Sequence, residues 1–310
     1  MTAPPGTAPD PSFPVTQAAG PDFDPPFSVA EPPGLTSAFT FNAPHAGDVY
    51  PASFLASSRL DPAALRRSED AFVDRLFSGV VQLGAPLMSA RFPRAYLDVN
   101  REPFELDPRM FDGRLPAHAN TRSMRVAGGL GTIPRIVADG QEIYAGRLPV
   151  AEALDRIERL YKPYHRTLRY LLGRSIDRFG TAILIDCHSM PSSSLGRDQG
   201  TRADMVLGDR YGTSCSGMLT DGVEKALQAR GYQVVRNKPY AGGFITEHYG
   251  VPALGRHVLQ VEVNRAIYMD ERTILPRSGF AALAADLALT FAAAMRDFGA
   301  GFEPNRVAAE

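Results

Sequence analysis

The chain has 310 residues, is 44% apolar and carries 33 Lys and Arg against 34 Asp and Glu, a net charge of −1. That length suits one large α/β domain, and the near-neutral balance, with no basic stripe interleaved with aromatics, leaves no electrostatic footprint for nucleic acid. No apolar run approaches the roughly 20 residues that cross a bilayer, and Cys187 and Cys215 are too few for a disulfide framework or a Cys-rich zinc site, so a soluble, cytoplasmic, reduced protein is expected.

Residues 1–35 are dense in Pro, Gly and Ala and are expected to form a flexible tail, its last part lying on the body, with residues 36–310 expected to form one folded domain. A first strand, Ala38-Phe39-Thr40-Phe41-Asn42, runs into a loop with Pro44, His45, Gly47 and Asp48. Asp61 and Pro62 open a helix through about Phe77, Asp as cap and Pro in the first turn. Residues 88–100 read as a strand and 124–135 as a Gly-rich loop. A long helix from about Val150 to Phe179 is expected to kink or divide at Pro163. A strand over 181–187 follows, then a short one near 204–207, a helix over about 216–230 ended by Gly231, and a strand at 232–235. Residues 240–252 read as a Gly-rich loop, before a strand from His257 to Val263 and a last helix near 277–298. Strands alternating with helices point to a mixed, mostly parallel sheet in a three-layer α/β/α fold.

The run Thr181-Ala182-Ile183-Leu184-Ile185 has the character of a strand buried on both faces, and it leads directly into Asp186, Cys187 and His188. His45 also follows an apolar segment. If the two strands are neighbours, both imidazoles meet at one sheet edge and suit a divalent ion, with a carboxylate as third ligand. Asp48, three residues after His45, and Asp70, on the following helix, are the two candidates. The alternative is a pair of hydrogen-bonded core histidines. Glu262 sits in a strand that begins HVLQV, where a buried carboxylate is costly unless paired or functional. Next to a metal-activated water it would be a general base; otherwise it is an edge-strand acid paired with Arg265. Asn100 and Arg101 end a segment with a planar fork suited to a substrate carboxylate. Arg122, Arg125 and Arg135 flank a GGLG loop and could polarise a carbonyl oxygen or add to an anion site.

The stretches PHAGDVYP (44–51), RRSEDAFVDRLF (66–77), LDVNREP (97–103), GLGTIPR (129–135), YKPYH (161–165), IDCHSMP (185–191), DMVLGDRYGTSC (204–215), PYAGGFITEHYGVP (239–252) and LQVEVNRAIYMDE (259–271) together resemble the N-formylglutamate amidohydrolase family. The resemblance implies a zinc-dependent hydrolase of the phosphorylase/hydrolase-like architecture shared with zinc carboxypeptidases and aspartoacylases. It implies His45 and His188 as Zn2+ ligands, Glu262 as the base, Asn100 and Arg101 as the clamp for the substrate carboxylate, and Arg125 or another loop arginine as the stabiliser of the oxyanion. Position 48 is Asp where the carboxypeptidase-like relatives have Glu, and an acid matching Asp70 recurs in the nearer family, so Asp70 is placed ahead of Asp48. His248 and His257 would orient ligands or substrate. The implied reaction converts N-formyl-L-glutamate to formate and glutamate, the terminal step of one histidine-degradation route. The rivals are a zinc amidase for another N-acyl amino acid or small peptide, and a noncatalytic ligand-binding module.

Overall fold

The computed structural model describes residues 23–137, 140–194 and 203–299. Seven strands, Phe27–Ala30 (β1), Phe39–Ala43 (β2), Leu87–Ala90 (β3), Ala182–Met190 (β4), Met205–Gly208 (β5), Val234–Arg236 (β6) and Arg256–Asn264 (β7), form one sheet in the order β1-β3-β2-β4-β7-β5-β6. The central strands β3, β2, β4 and β7 are parallel, while β1 on one side and β5 with β6 on the other run against them. Every residue of β4 is buried, as a strand covered on both faces requires.

Alternation of side chains divides β4 and β7 between two apolar clusters. Leu184 and Val258 pack with Tyr164, Leu168, Leu171 and Leu172 of the helix Lys162–Phe179. Ile183, Ile185, Cys187, Leu259, Val261 and Val263 face the other way, against the helices Gly217–Gln228 and Phe280–Gly299. The mixed, mostly parallel sheet between helical layers is the fold class expected from the sequence.

Several local expectations are corrected. Residues 1–22 of the expected tail lie outside the described residues; its last part does lie on the body, though as a strand, Phe27–Ala30, paired antiparallel with β3 at the sheet edge. The strand expected over 88–100 ends at Ala90. Pro93 follows, with no N–H to give a ladder, and its carbonyl instead accepts turn bonds from Tyr96 and Leu97. The helix opened by Asp61, whose side chain caps the N–H of Ala64 at 2.8 Å, stops at Arg66 and resumes as Val73–Phe77. Between them the Asp70 N–H donates to the His45 carbonyl rather than to a helical turn. One-turn or two-turn helices, Met124–Ala127 and Phe244–Tyr249, interrupt the two segments read as Gly-rich loops. The long helix does divide before Pro163: a π turn over Ile157–Tyr161 separates Val150–Arg156 from Lys162–Phe179, and Pro163 falls in the first turn of the last piece, where a missing N–H costs least.

Candidate metal centre and active site

β2 and β4 are hydrogen-bonded neighbours, so the two histidines arrive together at the C-terminal end of these parallel strands, His45 just past β2 and His188 near the end of β4. The rings of His45 and His188 are buried, with centroids 4.9 Å apart. Asp70 enters from the turn between the two short helices. Its Oδ2 lies 2.9 Å from Nδ1 of His188 and 3.4 Å from Nδ1 of His45. The opposite ring nitrogens are held by two further carboxylates: His45 Nε2 lies 2.8 Å from Asp98 Oδ1, and His188 Nε2 lies 2.9 Å from Asp186 Oδ2.

This donor set fits a divalent cation on three counts. One ligand atom each from His45, Asp70 and His188 lies within 4.8 Å of the others, the one such group among the described residues. Nδ1 of His45 is buried without a hydrogen-bond partner, a cost that a cation bound there removes. Two nitrogens and one carboxylate are the donor set that would hold a zinc-like ion with room for a water, and a carboxylate behind each imidazole fixes the ring and raises its basicity. Three buried acids around two imidazoles also favour positive charge. Burial alone would lower the His188 pKa, yet Asp186 and Asp70 hold it well above the usual histidine value. Asp70 is held well below the usual carboxylate range by His188 and His45, although burial pushes the other way. Asp48, the alternative third ligand, is exposed and lines a separate cavity with Arg66, Glu69 and Asp74.

Strand register puts His188 beside Glu262 and Asp186 beside Gln260. β7 is interior to the sheet, so Glu262 is not an edge residue, and Arg265 is not its partner. Arg265 donates to Asp70 Oδ1 at 2.9 Å, to Ser189 Oγ at 3.1 Å and to the Arg67 carbonyl at 2.9 Å. Glu262 accepts from Gln260 Nε2 at 3.0 Å. Desolvation raises its pKa to about 7, with His188 opposing and Asp70 reinforcing the shift. A buried carboxylate tuned near neutral pH can both accept and return a proton.

Two cavities meet here. One of about 420 Å³ is lined by Asp70, Arg94, Asp98, Arg101, Glu262 and Arg265, with an apolar wall that includes Leu130, Pro134 and Ile136. One of about 210 Å³ is lined by His45, His188, Asn100, Arg101, Arg125 and Glu262. Arg94, Arg101, Tyr240 and Glu262 border both.

The expected carboxylate clamp is half committed to the protein. Asn100 Nδ2 lies 3.4 Å from Asp186 Oδ2 and 3.3 Å from His188 Nε2, and its Oδ1 accepts the Ile245 N–H at 2.8 Å. Gly243 packs so closely on this amide that a Cβ there would lie 2.4 Å from Nδ2. Arg101 donates to the carbonyls of Leu130 and Asn100 at 2.8 and 2.7 Å while still facing both cavities. Burial draws its pKa down to about 10. The YKPYH segment supports this loop: Tyr161 Oη donates to the Arg101 carbonyl at 2.6 Å, and His165 Nε2 donates to the Val99 carbonyl at 2.9 Å.

Other candidates fall apart from the group. Arg125 reaches the smaller cavity, whereas Arg122 is exposed and Arg135 pairs with Asp107 and Glu142. His248 is exposed, stacks on Phe244 and lines neither cavity. His257 accepts from the Ser216 N–H at the opposite end of β7 from Glu262. Sequence reasoning missed Asp98, Asp186, Arg94, Gln260 and Tyr240. Asp186 carried a usable signal, since it sits two residues before His188 and therefore on the same face. Arg94 and Asp98, at i and i+4, form an ion pair of 3.0 Å; nothing local marks Tyr240.

Comparison with known proteins places the chain in a family. A sequence model described as N-formylglutamate amidohydrolase matches residues 37–269, a span that contains His45, Asp70, His188 and Glu262. An N-formylglutamate deformylase of Pseudomonas putida is 32% identical over 205 residues, 65% of this chain and 71% of that protein. One of Pseudomonas aeruginosa is 32% identical over 206 residues, 66% of this chain and 71% of that protein. Among solved structures, the N-formylglutamate amidohydrolase of Ralstonia eutropha JMP134 superposes with a TM-score of 0.83 at 38% identity, covering 88% of this chain and 99% of that one. The chain belongs to the N-formylglutamate amidohydrolase family.

Proposed function

We propose that this protein hydrolyses N-formyl-L-glutamate to formate and L-glutamate, with His45, Asp70 and His188 holding one zinc ion and Glu262 acting as the general base. The observation that carries the reading is the placement of Glu262, a desolvated carboxylate with a pKa near 7, in the wall of the cavity that His45 and His188 also line. A divalent ion bound there supplies Lewis acidity and makes a water more acidic. Glu262 takes a proton from the attacking water, the water oxygen bonds to the formyl carbon, and the same carboxyl group protonates the nitrogen as the C–N bond breaks. Arg94 faces both cavities and offers positive charge to the formyl oxygen as it becomes negative. Arg101 meets a carboxylate of the substrate, and Asn100 acts by donating to Asp186, the carboxylate behind His188, rather than by touching substrate. In this reading the reaction is the terminal step of a histidine-degradation route carried out in the cytoplasm.

The deciding experiment measures formate release from N-formyl-L-glutamate, with and without a chelator, beside N-acetyl-L-glutamate and N-formyl-L-methionine. Release from the first alone, abolished by chelation and restored by zinc, is the expected result. Absence of release from all three overturns the hydrolase reading; preference for a different acyl group or amino acid assigns the chain to another N-acyl amino acid amidase.

A further inference from the structure

N-formyl-L-glutamate carries two carboxylates, and a site that selects it over neutral analogues needs two cationic contacts. Most of the guanidinium groups at the junction of the cavities are already engaged. Arg94 donates from Nε to Asp98 at 3.0 Å, and Arg265 donates to Asp70 at 2.9 Å. Arg125 differs. Its side chain is 33% exposed at the rim of the smaller cavity, and its ion pair with Glu105 is 3.7 Å long, beyond hydrogen-bond reach. Arg125 is also tied to Arg101 through a single residue. Leu130 donates its N–H to the Arg125 carbonyl at 2.8 Å, and the Leu130 carbonyl accepts from Arg101 Nε at 2.8 Å. This relay fixes the backbone of Arg125 against the Arg101 guanidinium, so both cations border the smaller cavity, and the separation of two charges is what distinguishes a five-carbon dicarboxylate from a shorter one.

We infer that Arg125 reads the side-chain carboxylate of the glutamyl half, as the second arm of a two-point clamp whose first arm is Arg101. This rests on the hydrolase reading above and replaces the oxyanion part expected for Arg125 from sequence. The two parts differ in what they recognise: an oxyanion donor acts on the formyl group common to all N-formyl substrates, whereas a side-chain reader acts on the difference between them.

The test compares the full-length zinc-loaded parent with Arg125→Gln and Arg125→Lys on N-formyl-L-glutamate, N-formyl-L-glutamine and N-formyl-L-aspartate. In Arg125→Gln the preference for the glutamate over the glutamine substrate should fall by about 100-fold, mostly through KM. Arg125→Lys should keep part of that preference but relax discrimination against the aspartate substrate, because a flexible point charge replaces a planar fork. Equal losses on the glutamate and glutamine substrates place Arg125 at the formyl group and overturn the assignment, as does an unaltered preference. Calorimetric binding of L-glutamate and L-glutamine reads the same residue without turnover. Weaker glutamate binding in Arg125→Gln supports the clamp even if the parent releases no formate, a result that would sink only the hydrolase reading; unchanged glutamate binding overturns the clamp itself.

Discussion

Along β4, Ile183, Ile185 and Cys187 enter an apolar cluster, while Asp186 and His188 between and after them enter a buried network of charges and amides. β7 repeats the contrast, with Val261 and Val263 on one face and Gln260 and Glu262 on the other. The same two backbones therefore serve packing on one side and chemistry on the other. A central strand, hydrogen-bonded on both edges, is a stiff mount, so side chains at i and i+2 keep their separation. The polar face is confined to the C-terminal half: Leu184 and Val258 on that face still pack against the helix Lys162–Phe179.

Four substitutions break or sharpen this contrast, taken from the largest expected effect. Glu262→Gln should keep bound metal and lower kcat by about 1,000-fold, read as formate release beside metal analysis; near-parental turnover would move the base elsewhere. Asp70→Ala should weaken zinc affinity by more than about 100-fold, since a direct ligand matters more than an outer-shell partner, while Asp48→Ala leaves it as it is. Metal content after dialysis distinguishes them, and the reverse ranking would make Asp48 the ligand. On the apolar face, Ile185→Ala should destabilise the fold by about 2–5 kcal/mol in denaturant titration without altering the KM of the surviving enzyme. A changed KM would show that the two faces are not independent.

A pH-dependent effect concerns His165, buried behind the site with Nε2 donating to Val99 and Nδ1 accepting from Tyr249 Oη at 2.8 Å. Burial pushes its pKa down to about 4. The unfolded chain takes up this proton near pH 6.5 and the folded chain does not until about pH 4. Its contribution is therefore complete above about pH 6.5 and is lost as pH falls toward 4, up to roughly 3 kcal/mol. His165→Gln should lose less stability than the parent between pH 7 and 4.5 in thermal unfolding. Parallel losses in the two proteins would show that His165 titrates normally.

The local sequence determined whatever depends on periodicity and on short-range chemistry. The apolar run Ala182 to Ile185 marked β4, the Asp61-Pro62 pair marked a helix start, and HVLQV marked a buried strand in which Glu262 needed a reason to exist. The site was legible in part for the same cause, because His45 and His188 each end an apolar segment. Asp70 was harder to place: a continuous helix was expected where a turn was found, and that turn is held by a hydrogen bond to the His45 carbonyl, 25 positions away along the chain. Asp98, Arg94 and Tyr240 were not legible at all. Their roles come from loops that carry no repeat, and a loop's path is set by what it packs against. The choice between Asp48 and Asp70 shows the division most directly: Asp48 lies three residues from His45 and Asp70 twenty-five, yet in the tertiary structure it is the distant acid that groups with both histidines.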